Sequence, residues 1–330
     1  MNILVCIPAK EAHRAKLEKA AAAANKQCSF VYSTIKDVTE EMIADADVII
    51  GNVPAGKIHA SEKLQMMQLN SAGADPYIAE GVLNENTILL NSTGAYCKGV
   101  AEHGIALTLM LMKKLHFYRD DQQKSSWSDH GTVTSPTDAV VLVVGLGDIG
   151  LHYGKVMKAL GAKVIGIKKR PAACPAEIDE LYILQEHGKT LHEALEQDLL
   201  PKADIIFNIL PGNSETAGLY DEELFAAMKN SAYFVNCGRG NAVDQTALAK
   251  ALEAGELAGA GLDVTSPEPL PSDSPLWKLP NLVITPHISG GYHLPETFER
   301  IVNIAADNLE HFLKDEPVRN IVDKATGYKK

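Results

Sequence analysis

The chain has 330 residues, 46% hydrophobic and 22% charged, with 31 basic side chains against 42 acidic ones and a net charge of −11. This is the composition of a globular protein long enough for two cored domains. The acidic balance argues against broad binding to nucleic acid or an anionic membrane, since both need a cationic face.

The N-terminal run NILVCIPA reads as a first buried strand rather than a cleaved leader. An Ala-rich helix around Ala15–Ala24 follows, then the apolar runs FVYS, DVIIGN, LQMMQLN and TILLNS. Strands separated by helix-length segments predict a parallel sheet with crossovers. The stretch from Gly99 to Tyr118 reads as one buried helix, and its longest apolar run, GIALTLMLM, is too short to span a bilayer. The polar segment DDQQKSSWSDHGTVTSPTD has the composition of a linker or surface loop. AVVLVV then opens a second alternating set that continues through KVIGI, DIIFNILP, AYFVNCGRG, AGAGLDV and NLVITPH. ADVII (46–50) and ADIIF (203–207) echo one another, each entering a strand after a helix-like stretch, which suggests two α/β domains of related design. An amphipathic helix from Pro295 to Leu313 follows, and the final ATGYKK is expected to fray. The five cysteines (Cys6, Cys28, Cys97, Cys174, Cys237) are scattered and form no CxxC pair. Neither a disulfide framework nor a zinc ribbon is expected, and a reducing cytoplasm is the default.

VVLVVGLGDIG places Gly145, Gly147 and Gly150 directly after a strand and at the start of a helix, whose first turn holds Asp148 and Ile149. The first glycine permits the tight turn and the second lets amides approach a pyrophosphate. The third allows helix to pack on strand, and the helix N-terminus favours the phosphate charge. Counting on from Gly150, the end of KVIGI falls close to the roughly 20-residue spacing at which an acid reads the ribose 2′-hydroxyl. Lys168, Lys169 and Arg170 stand there instead. Their donors complement a 2′-phosphate, so NADP is the expected cofactor, with NAD as the alternative.

Three further strand ends carry candidate chemistry. Arg239, between two glycines expected to leave room for a small ligand, can hold a carboxylate with paired hydrogen bonds. Glu268 lies in a Pro-bounded loop, and His287 sits where a strand ends against Pro286. A carboxylate partner would orient such an imidazole for proton transfer. HEAL at 192–195 is not an HExxH motif, so no metal is expected.

GLGDIG, NCGRG, the D-V-x-x-x-E-P run at Asp263–Pro269 and TPHISG, in that order over nearly the whole chain, resemble the D-isomer-specific 2-hydroxyacid dehydrogenase family. The cations at KKR resemble its NADP-preferring, glyoxylate/hydroxypyruvate reductase-like branch. The resemblance implies two doubly wound parallel-sheet α/β domains, a Rossmann nucleotide domain (95–294) inserted in a flavodoxin-like substrate domain (1–94 plus 295–330), closing about hinges near 92–100 and 288–296. It implies Arg239 as the substrate-binding arginine, Glu268 as partner carboxylate and His287 as the acid/base. The NSAGAD loop, through Ser71, Ala72 and Gly73, would offer amides to the substrate carboxylate. Cofactor contacts are implied for Leu210, Pro211 and Thr216, for Cys237 and Gly238, for Asp263 near the nicotinamide, and for Ser92 or Thr93 in the NSTGAY segment before Ala101–His103. The expected reaction is NAD(P)H-dependent reduction of a 2-keto acid to a D-2-hydroxy acid, and the expected assembly is a homodimer built on the nucleotide domain.

Other readings fit less well. A short-chain dehydrogenase needs Tyr-x-x-x-Lys, and Tyr32 with Lys36 lies upstream of the glycine loop. Zinc alcohol dehydrogenases need a ligand cluster, and a formate-dehydrogenase-like site would pair its His with a neutral amide rather than Glu268. The rival outside enzymology is a dinucleotide-sensing binding protein on the same scaffold.

Overall fold

The computed structural model describes residues 1–324, and the ATGYKK tail lies outside the described residues. The chain divides into two compact units, Met1–Tyr96 with Gly291–Lys330, and Cys97–Gly290.

The first unit is a five-stranded parallel sheet of β1 (Asn2–Val5), β2 (Ser29–Tyr32), β3 (Val48–Ile50), β4 (Met66–Gln68) and β5 (Ile88–Leu90), in the order β2-β1-β3-β4-β5. Side chains alternate between two cores, as a pleated strand requires. Ile3, Val5, Val48, Ile50, Met66 and Leu90 face one, and Leu4, Ile49, Met67 and Leu89 the other. The first core is covered by helices Glu11–Ala22 and Pro295–Leu313. The latter buries Phe298, Val302, Ala305, Leu309 and Leu313, an apolar stripe at helical spacing. Asn308 on the same helix is fully buried and satisfied: Nδ2 donates to Gln68 Oε1 at 2.7 Å and Oδ1 accepts from Arg319 N at 2.9 Å.

The second unit is a seven-stranded parallel sheet of β6 (Val140–Val144), β7 (Lys163–Lys168), β8 (Glu180–Ile183), β9 (Ile205–Asn208), β10 (Tyr233–Asn236), β11 (Gly259–Leu262) and β12 (Leu282–Ile284). Its order is β12-β11-β10-β9-β6-β7-β8. Successive strands are therefore added in opposite directions from β6/β9, and the crevice beyond such a switch point is where open α/β sheets bind ligands. Both sheets are doubly wound, as expected.

The ADVII/ADIIF echo has a structural counterpart. Asp47, just before β3, accepts from the first amide of β1 (Asn2 N, 2.7 Å), and Asp204, just before β9, accepts from the first amide of β6 (Val140 N, 2.8 Å). In each sheet this carboxylate ties together the two strands that flank the switch point.

One expectation needs correction, and one strand went unanticipated. The Gly99–Tyr118 stretch is two helices, Cys97–Met112 and Leu115–Gln123, because Lys114 takes a left-handed backbone with φ 55° that breaks the first. Strand β8 had no apolar run to announce it: ELYI begins with an exposed Glu180 and pairs on one side only, as an edge strand does. Among the described residues, no helix is long and apolar enough to cross a membrane.

Candidate active site

The chemistry-bearing residues of the second unit lie on the loops that leave β6, β7, β9, β10, β11 and β12, along the carboxyl edge of one parallel sheet. In the glycine loop, Gly145 has φ +109°, and a Cβ there would lie 2.9 Å from the main-chain carbon and oxygen of Ile209. A Cβ on Gly150 would fall 2.2 Å from Gly145 O, so helix and strand could not close with any larger residue. Gly147 differs, since nothing lies within 4 Å of a Cβ placed on it. It is the N-cap of helix Asp148–Ala159, and the open space adjoins that helix's unpaired N–H groups. Ile149 is half-buried behind it. These residues fit the pyrophosphate of a dinucleotide.

At the end of β7, Lys168 is half-buried, while Lys169 and Arg170 are exposed. Lys169 Nζ binds both carboxylate oxygens of Glu215, at 3.0 and 2.9 Å. Glu215 belongs to the loop after β9, which is folded upon itself: Thr216 Oγ1 donates to Pro211 O at 2.8 Å, and Asn213 N donates to that hydroxyl at 3.0 Å. Leu210 and Pro211 are half-buried at its base. The cations thus meet an acid supplied by a neighbouring loop, which no local spacing rule anticipates.

Arg239 is half-buried at the end of β10, and its turn is clamped by Asn236. Asn236 Oδ1 accepts from Gly238 N at 3.0 Å, and Nδ2 donates to Arg239 O at 3.0 Å. Asn208, ending β9, donates to the same Oδ1 at 2.9 Å. Both asparagines are completely buried. The pattern IIFN and YFVN, a polar residue closing an apolar strand, was the available signal for this pair. The glycines beside Arg239 serve a different purpose from the one expected. A Cβ on Gly238 would lie 2.5 Å from Leu210 O, and one on Gly240 would lie 1.9 Å from Thr265 O. They admit neighbouring main chain rather than leave space for a ligand. Cys237 is buried, and burial, with a further contribution from the charge of Asp263, pushes its thiol well above the usual range.

Glu268 and His287 come together from the loops after β11 and β12. His287 Nδ1 lies 2.8 Å from Glu268 Oε2, while Glu268 Oε1 accepts from Thr265 N at 3.1 Å. A carboxylate only accepts, so Nδ1 carries the proton of this bond. Nε2 then has no protein partner among the described residues, and with the ring half-exposed it can exchange a proton with a ligand. The His287 backbone is left-handed, φ 52°, which a non-glycine residue adopts only when held. Asp263 holds it. Its carbonyl accepts from His287 N at 2.7 Å, and its buried carboxylate accepts from Ile288 N at 3.0 Å, Ser289 N at 3.1 Å and the Thr285 hydroxyl at 2.6 Å.

In the first unit, the loop after β4 has its carbonyls occupied one by one. Asn70 O accepts from the Tyr96 hydroxyl, Ser71 O from Ser92 N (2.9 Å), Ala72 O from Asn91 Nδ2 (2.8 Å) and Gly73 O from Ser71 Oγ (2.6 Å). No acceptor among the described residues faces the amides of Ser71, Ala72 and Gly73. Successive unpaired N–H groups of this kind form a receptor for an anion such as a carboxylate. Ser92 is fully buried with its hydroxyl donated to Leu69 O at 2.8 Å, and Thr93 beside it is half-buried.

Elsewhere, His192, Asp221 and Glu223 offer ligand atoms within 4.8 Å of one another. Within this group His192 Nε2 makes an ordinary contact with Asp221 Oδ2 at 3.1 Å, and the other oxygen of Asp221 caps helix Glu222–Ala226.

A family profile described as "D-isomer specific 2-hydroxyacid dehydrogenase, NAD binding domain" matches residues 105–289. Glyoxylate/hydroxypyruvate reductase B of Klebsiella pneumoniae is 32% identical over 297 residues, covering 86% of each chain. Among solved structures, a D-isomer specific 2-hydroxyacid dehydrogenase family protein from Aeromonas salmonicida matches with a TM-score of 0.80 at 29% identity, over 98% of this chain and 99% of that one. A D-isomer specific 2-hydroxyacid dehydrogenase from Xanthobacter autotrophicus, solved with NADPH and MES, matches at 0.78 and 25% identity over 99% of both. With the profile spanning more than half of the sequence and a relative of this identity aligned along most of it, the chain belongs to the D-isomer-specific 2-hydroxyacid dehydrogenase family and is an NAD(P)-dependent oxidoreductase.

Proposed function

We propose that this enzyme reduces a 2-keto acid to the D-2-hydroxy acid with NADPH as the preferred donor. The observation that carries the reading is the His287–Glu268 pair, joined at 2.8 Å with Nε2 left open, on the same sheet edge as the glycine loop. Bound nicotinamide supplies the hydride. His287 Nε2 gives its proton to the carbonyl oxygen of the substrate as negative charge develops there, and Glu268 keeps the ring oriented through Nδ1. Arg239 binds the substrate carboxylate and stabilises the developing alkoxide, and the amides of Ser71, Ala72 and Gly73 supply further donors for an anionic group. Reduction consumes a proton, which suits a protonatable Glu–His pair. Lys168, Lys169 and Arg170 support NADPH because β7 itself ends in donors rather than an acid, and the Glu215 carboxylate that meets Lys169 comes from the loop after β9. The Klebsiella relative is a glyoxylate/hydroxypyruvate reductase, and these two acids are the first substrates to try.

Assembly as a homodimer is supported by the exposed apolar side chains beyond helix Cys97–Met112: Leu115 is 51% exposed, Val133 42%, and Trp127 entirely so. Five free cysteines suit a reducing cytoplasm. The test of function is consumption of reduced nicotinamide, followed by absorbance, over a panel of 2-keto acids with each cofactor. Turnover with NADPH exceeding that with NADH is expected. Tight cofactor binding without turnover on any 2-keto acid would overturn the enzymatic reading in favour of a dinucleotide sensor.

A further inference from the structure

We propose that His103 and Thr285 are positioning residues for the acid/base His287, acting through the buried carboxylate of Asp263. This rests on the reading of His287 given above.

Asp263 is 1% exposed, and a carboxylate so far from water needs a full set of donors. Two come from the turn itself, the amides of Ile288 and Ser289. The third is the Thr285 hydroxyl, 2.6 Å from Oδ1. That hydroxyl has a single proton, and the carboxylate can only accept it. Thr285 Oγ1 must therefore be the acceptor in its second contact, with His103 Nε2 at 2.9 Å. The proton count fixes what the coordinates alone do not: His103 carries hydrogen on Nε2 and donates it. The same N–H lies 3.5 Å from Asp263 Oδ1, so it supports the carboxylate directly as well.

The bonds run in one direction, from His103 on helix Cys97–Met112, through Thr285 at the end of β12, to Asp263 at the end of β11. Beyond Asp263 lies the turn that contains His287 in its left-handed conformation. Without the outer donors, Asp263 Oδ1 would keep only the Ile288 amide, and a buried carboxylate so short of donors would turn toward others or water. The turn would lose the acceptor that sets its geometry, and a general acid displaced by a fraction of its reach loses efficiency steeply. Neither His103 nor Thr285 is itself among the expected cofactor contacts, and their bonds lead to the turn that holds His287, so their effect belongs on the chemical step rather than on cofactor affinity.

The test compares kcat, substrate KM and cofactor Kd for wild type, His103→Ala, His103→Gln, Thr285→Val and Thr285→Ser, with His287→Ala alongside. Gln places an N–H donor near the position of Nε2, and Ser keeps the hydroxyl. We expect kcat to fall about tenfold or more in His103→Ala and Thr285→Val. KM and cofactor Kd should stay within about twofold, and Gln and Ser should restore most of the rate. The double variant His103→Ala/Thr285→Val should be little worse than Thr285→Val alone, because both act on one path. Thr285→Val is nearly isosteric and keeps the test intact where His103→Ala does not fold. Wild-type kcat in His103→Ala and Thr285→Val, with His287→Ala inactive, would overturn the positioning role alone. An active His287→Ala would overturn both this proposal and the acid/base reading. A His103→Gln as impaired as His103→Ala would show that donation from Nε2 is not what matters.

Discussion

Lys169 and Glu215 form an ion pair whose side chains are 65% and 69% exposed, and a pair so placed is worth only about 0–1 kcal/mol. A 2′-phosphate, carrying more charge than one carboxylate, can therefore draw Lys169 away at little cost. Paired titrations at one salt concentration should give NADPH at least tenfold tighter binding than NADH, a difference of about 1.4 kcal/mol. Lys169→Ala should weaken NADPH while leaving NADH nearly unchanged, and Glu215→Gln should strengthen NADPH by removing a competitor. Equal affinities for the two cofactors in the wild type would make the cations an ordinary solvated strand end. The cysteines offer a second check at this scale. Burial pushes the Cys237 thiol well above its ordinary range, whereas Cys174 is exposed. Alkylation of the native protein at pH 8 should modify Cys174 and spare Cys237 until the chain unfolds, as mass spectrometry of the labelled peptides would show. Glu215 was not legible in advance, because it reaches Lys169 from a different loop and no local spacing links them. The same holds for the contacts of His103 with Thr285 and Asp263, which a helix and two loops bring together only when the sheet has formed.

Among the elements, strands buried on both faces were the most legible, since runs such as VVLVV and IIF need no periodicity to be recognised. What escaped was decided by single residues or by edges. A lysine in left-handed conformation splits the helical stretch at Lys114, and nothing about a lysine announces that. Strand β8 is short, charged at its start and held from one side. The paired aspartates show how much one loop residue contributes to an element. Asp204 accepts from Val140 N and also binds Lys229 at 2.8 Å, so Asp204→Ala leaves the first amide of β6 without its acceptor. Thermal or urea unfolding should register a loss of about 1–3 kcal/mol. Gly240→Ala tests a different link. Its methyl would strike the Thr265 main chain, whose amide positions Glu268. Turnover should fall sharply while cofactor affinity, which we assign mainly to the loops after β6 and β7, is largely kept.

For the whole molecule, the sequence conveyed two doubly wound sheets and the order of the strand-end motifs because both follow from local patterns. Association does not. The exposed side chains at Leu115, Trp127 and Val133 argue for a second copy of the chain as partner, and sedimentation should find a dimer that Trp127→Ser weakens. A monomer at micromolar concentration would refute that assembly without touching the chemistry. The proposed chemistry rests on the open nitrogen of His287. Its most direct test is steady-state reduction of a responsive 2-keto acid at saturating cofactor, comparing wild type with His287→Ala. A fall in kcat of about 10²–10⁴-fold with cofactor affinity intact is the predicted result; a variant that turns over like the wild type would contradict the assignment.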